Sequence, residues 1–143
     1  MTGQIFQALH VLGAVVWVGG MFFALLVLRP SLAVLEPPQR LALHMQVFRR
    51  FFLIVWHAMP IVLLTGYAML FARFGGFKGA GPGIHVMHLF GLIMAGVFIW
   101  IFFGPWAKLR GGDKTALDTV RKLITVNLVL GLLTVAVAAY GWR

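Results

Sequence analysis

Histidine is the residue type in this chain with the widest chemical reach, and there are five: His10, His44, His57, His85 and His88. Cysteine is absent, which excludes disulfides, thiolate metal sites and covalent c-type haem attachment. His10 and His88 form a pair by pattern. His10-x-x-Gly13 is mirrored by His88-x-x-Gly91, and both continue with small residues, Ala14 and Gly20 in one case, Ala95 and Gly96 in the other. A b-type haem held between two helices takes one imidazole from each, with small residues alongside so that the macrocycle can lie against the backbone. Trp17, Phe90 and Leu92 would pack its faces and edges, and Arg73 and Lys78 would meet its propionates. A second chemistry is copper: Met69 and Met87 with His10, His85 and His88 would join soft thioether to imidazole. The third possibility has no cofactor, the histidines simply hydrogen-bonding neighbouring helices.

The remaining histidines divide differently. His85, one turn from His88, is first a water-exposed residue at a helix end, with metal binding open. His57 is either the partner of a carbonyl freed by Pro60, the partner of Asn127, or a further metal ligand. His44 is expected to be an interfacial residue.

The elements that carry these side chains are membrane helices. The chain has 143 residues, 62% hydrophobic and 10% charged, with mean hydropathy +0.97, too apolar for a soluble domain of this size. Four apolar stretches approach or exceed the roughly 20 residues that cross a bilayer core: about 4–28, 50–72, 84–106 and 119–141. The expected fold is an all-α integral membrane protein, a four-helix transmembrane bundle forming one domain over residues 1–143. On the first helix His10, Gly13, Ala14, Trp17, Gly20, Met21 and Ala24 share a face. The first helix is expected to stay as a retained signal anchor. Between the first and second spans lie Pro30, Pro37 and Pro38, and then QRLALHMQVFRR, which is expected as a short interfacial amphipathic helix. Pro60 is expected to kink the second span near Trp56 and His57. Tyr140 and Trp142 would anchor the last helix at the interface. No Asp, Glu, Lys or Arg falls in the middle of a span, which weakens an ion-coupled transporter.

The net charge is +9. The basic residues cluster at the helix ends, where they serve topology and anionic lipid, and no nucleic-acid partner is implied. Arg29, Arg40, Arg49, Arg50, Lys108, Arg110, Lys114, Arg121 and Lys122 fall on the side of the first and third loops, against Arg73, Lys78 and Arg143 on the other. That asymmetry puts both termini on the periplasmic side of a bacterial inner membrane. His10 then lies about 9 Å from the outer end of its helix, and His88 at a similar depth. His44 and His57 would be about 20 Å apart on a continuous helix, too far to share a site. The small-residue faces also make a homodimer possible.

The stretches ALHVLGAVVWVGGMFF, RRFFLIVWHAMPIVLLTGYAML and HVMHLFGLIMAGVF resemble the copper-resistance D (CopD) membrane domain. His10 followed by Trp17-x-Gly19-Gly20 and Arg29-Pro30, with Leu64-Thr65-Gly66 in the second helix, carry the resemblance. HemJ-type protoporphyrinogen oxidases are more loosely similar. The resemblance implies an inner-membrane helical bundle concerned with copper homeostasis, or one that binds b-type haem and oxidises a porphyrinogen. His10 matches the first-helix histidine of the family. After His88 the HemJ-like pattern has a lysine, whereas this chain has Leu89, Phe90, Gly91 and Leu92, which weighs against the oxidase reaction. The expectation is therefore haem b between the first and third helices near the outer face, for membrane electron transfer or haem-dependent oxidation with an electron donor or acceptor as partner. Copper binding or translocation is the competing function.

Overall fold

The computed structural model describes residues 2–140, and Trp142 and Arg143 lie outside the described residues. The chain is all-helical among them. α1 spans Thr2–Phe23 and runs through a π-turn at Ala24–Leu28 into the short α2, Arg29–Ser31, and a 3-10 turn at Leu32–Val34. α3 spans Pro37–Phe74, α4 Pro82–Phe103, α5 Pro105–Arg110 and α6 Ala116–Tyr140. Four helical segments are long and apolar enough to cross a membrane: Gly3–Val34, Pro37–Phe74, Pro82–Arg110 and Ala116–Tyr140. Large apolar side chains such as Leu12, Val15, Leu53, Leu64 and Phe103 are exposed on the outside of the bundle, the surface that lipid covers.

The spans expected from the sequence are all present, but three boundaries differ. Arg29-Pro30 does not close the first helix. Pro30 has no N–H and its ring crowds the preceding turn, and the π-turn before it gives the extra room, with the Arg29 N–H bonded to the Ala24 carbonyl. The amphipathic stretch is not a separate interfacial helix but the first turns of α3. No glycine interrupts that stretch, and the helix starts cleanly at Pro37 and Pro38, with the Glu36 N–H donating to Gln39 Oε1 at 3.3 Å. At 1.5 Å per residue α3 is about 57 Å long. That exceeds a hydrocarbon core of about 30 Å, so its basic start projects beyond the apolar region. α4 stops at Phe103 instead of running on to 106. Gly104 adopts φ −98°, ψ −103°, a Cβ there would sit 2.8 Å from the Trp100 carbonyl, and Pro105 begins α5.

α1 packs along α3 and α4 along α6, with α6 also touching α1. The core lies toward the end of the bundle where the basic loops sit. Phe48 and Phe52 of α3 meet Trp106 of α5, the Phe52 and Trp106 rings lying edge to face at 5.1 Å. Trp17, Met21, Phe98, Ile101, Val120 and Ile124 close around them. Each such aromatic pair adds about 0.5–1.5 kcal/mol beyond simple burial. Asn127 is buried in α6 and its Nδ2 donates to the Met94 carbonyl at 3.0 Å, tying α6 to α4.

Gly13 and Gly20 decide how closely α1 approaches α3. A Cβ on Gly13 would lie 2.6 Å from Val62 Cγ2, and one on Gly20 would lie within the Phe51 ring's contact distance, whereas nothing stands within 4 Å of Gly19. Gly13→Ile should therefore destabilise the bundle by about 1–3 kcal/mol through overpacking. Gly19→Ile, facing lipid, should leave the thermal midpoint in detergent near that of the wild type; equal midpoints for the two variants would contradict the α1–α3 seam.

Candidate metal site at the histidine-bearing end

The seam between α1 and α3 holds His10. Gly66 leaves a notch in α3, and a Cβ there would sit 3.2 Å from His10 Cε1. Inside the notch His10 Nδ1 donates to the Val62 carbonyl at 2.8 Å and lies 3.2 Å from Thr65 Oγ1. Thr65, itself buried, donates its hydroxyl to the Ile61 carbonyl at 2.5 Å, so an oxygen lone pair faces the ring. A carbonyl can only accept, which assigns the Nδ1–H tautomer. Nε2 is then left with its lone pair, and it has no hydrogen-bond partner among the described residues. An imidazole whose other nitrogen donates to a backbone carbonyl is the usual preparation of a metal-ligating histidine.

His88 also answers to α3. Its Nε2 forms a 2.6 Å hydrogen bond with the Tyr67 hydroxyl, and the Phe77 ring meets it edge-on at 5.1 Å. His85 stacks on the same Phe77, with centroids 6.3 Å apart and planes 16° apart. His10 and His88 thus contact α3 at Thr65 and Tyr67, two positions about 3 Å apart along its axis. Arg73 closes this end of the bundle by donating to Gln7 Oε1 at 3.2 Å, and Lys78 is exposed on the turn before α4.

Several expected site residues take other roles. The space beside Gly13 is filled by Val62, and Trp17 is 3% exposed within the core, so no macrocycle can lie against α1 there. Gly91 differs from Gly13, having nothing within 4 Å. The residues present therefore do not fit a haem clasped between His10 and His88. His57 is exposed and bonds the Leu53 carbonyl of its own helix at 2.8 Å, not Asn127 and not the Trp56 carbonyl that Pro60 frees. His44 is not a solvated interfacial residue: it is 4% exposed and stacked on Phe48 at 5.2 Å. Among the described residues no three His, Asp or Glu side chains gather closely enough to enclose a metal ion. Thr65, Tyr67 and Phe77 are the contacts that the histidine pattern did not reveal. A hydroxyl beside a glycine inside an apolar span, as in Thr65-Gly66, is the signal that points to them.

Fold and contacts together define a polytopic helical membrane protein whose histidines at one end are held by a neighbouring helix. The family model described as copper resistance protein D matches residues 45–140, and the chain belongs to that family. An uncharacterized protein of Aquifex aeolicus (strain VF5) is 33% identical over 136 residues, covering 92% of this chain and 90% of the relative. No solved structure matches.

The hydrogen bond to Val62 makes the tautomer measurable. Nitrogen-15 NMR of histidine-labelled protein should show His10 as a neutral imidazole protonated at Nδ1, with that proton slow to exchange. A signal from the Nε2–H tautomer would contradict the geometry.

Proposed function

We propose that this chain handles copper in a bacterial inner membrane, taking the ion at the histidine-bearing end of the bundle. Membership of the copper resistance protein D family supports this reading. The observation that carries it is the 2.8 Å bond from His10 Nδ1 to Val62, which leaves Nε2 as a free, oriented donor. Copper is cargo in this proposal. His10 Nε2 is the first ligand, and His85 and His88 with Met69 and Met87 supply further imidazole and thioether, the donor types that soft copper(I) accepts. Val62 and Thr65 fix the ring and raise its basicity. Tyr67 steers the His88 ring through its hydroxyl. We read this end as periplasmic because nine of the twelve Lys and Arg residues belong to the opposite end.

Detergent-purified protein should compete with a chromophoric copper(I) chelator under reducing conditions. His10→Ala should weaken binding by about 10–100-fold. His57→Ala, on the lipid face, should leave it unchanged. Undiminished binding by His10→Ala, or equal losses in both variants, would refute the proposal.

A further inference from the structure

The opposite end of the bundle holds a cavity of about 560 Å3, lined among others by Arg29, Arg40, His44 and Arg121. Four separate features converge there. His44 is 4% exposed, and its Nε2 is buried with no hydrogen-bond partner. Arg121 Nε is likewise buried and without a partner. Arg29 makes no ion pair or hydrogen bond through its side chain among the described residues, and it stands close enough to Arg121 for the two charges to repel. The N-terminal turns of α3 and α6, through Pro37 and Leu117, also border the cavity. Helix N-termini carry partial positive charge, so they add to the field of the guanidinium groups.

Acidic residues do not balance this concentration. The chain has three. Asp113 is held by Thr115, whose hydroxyl and N–H keep its carboxyl below the usual carboxylate range. Glu36 sits at the start of α3. Asp118 lies 3.0 Å from Lys122 and 3.8 Å from Arg121 and also feels the Arg29 charge, so this one carboxylate is shared among three cations. Arg40 is spent on the backbone, donating to the Leu35 carbonyl at 2.7 Å and to the Ala33 carbonyl at 3.2 Å, but its charge remains. Buried polar atoms without partners are costly, and an Nε2–H tautomer of His44 together with the Arg121 Nε–H would present two donors to one acceptor group.

We infer that this cavity binds a phosphate group, with Arg29, Arg121 and His44 Nε2 as its donors. Guanidinium matches phosphate geometry in paired hydrogen bonds. Leu25, Leu32 and Leu41 line the remaining wall, so the group can arrive on an anionic phospholipid headgroup with its glycerol against the leucines, or as free phosphate. This site is separate from the histidine-bearing end and does not depend on copper.

Native mass spectrometry of the whole chain in detergent distinguishes the sources. Phosphatidylglycerol, phosphatidylcholine and inorganic phosphate are titrated in turn against wild type, Arg29→Gln, His44→Phe and Lys114→Gln. Arg29 is exposed, and His44→Phe keeps a ring stacked on Phe48, so both variants should fold. Lys114 is an exposed cation at the same end, outside the cavity. The expected result is one tightly held phosphatidylglycerol, preferred over phosphatidylcholine. Its affinity should fall roughly tenfold or more in Arg29→Gln and His44→Phe and persist in Lys114→Gln. Displacement by inorganic phosphate, with the same pattern among variants, assigns the site to the free anion. Equal retention of both lipids without phosphate binding overturns the inference. So does a loss in Lys114→Gln as large as in Arg29→Gln, because it would reduce the effect to surface charge.

Discussion

Gly13 and Gly20 let α1 lie so close to α3 that Val62 and Phe51 occupy the space their side chains would have taken. In lipid there is little hydrophobic drive to bring two apolar helices together, so close van der Waals contact and interhelical hydrogen bonds must do it. The same approach lets His10 reach past side chains to a main-chain oxygen of the neighbouring helix. A side chain at Gly66 would crowd the ring, its Cβ standing 3.2 Å from His10 Cε1, and would strain the bond to Val62. The position and the chemistry of His10 therefore share one cause.

α3 is the spine of the molecule. At one end it holds His10 through Val62 and Thr65 and His88 through Tyr67. At the other end it supplies Arg40 and His44 to the basic cavity. Between them Phe48, Phe52 and Val55 form the middle of the packed core. The two ends differ in chemistry: one presents the unpartnered Nε2 of His10, the other a cluster of guanidinium groups. A core of aromatic and branched side chains separates them.

Hydrophobic run length made the four spans legible, because in a bilayer it is the physical requirement itself. Their ends were less so. Pro30 ordinarily stops a helix, and only the widened turn at Ala24–Leu28 lets the helix pass it, a local adjustment that composition does not announce. The site was legible in part. Span position put His10 and His88 at similar depths where they could meet across the bundle; each instead bonds to α3, at Thr65 and Tyr67. Periodicity could not say which helix each ring faces, since it defines a face and not its neighbour. The matching glycines after the two histidines were the misleading feature. Gly13 is filled by Val62 while Gly91 is open, so the symmetry of spacing does not become a symmetric haem clasp. His44 was misjudged for a related reason. Its own helix is amphipathic there, but its burial depends on how the far elements of the chain pack around it.

The proposal that His10 Nε2 coordinates copper rests on family membership and on the oriented ring. Copper K-edge absorption on the copper(I)-loaded protein tests it most directly. Copper held by His10 should show an imidazole nitrogen shell at about 2 Å, by analogy with other metal–imidazole bonds, that loses amplitude in His10→Ala. An unchanged nitrogen shell in that variant would contradict it.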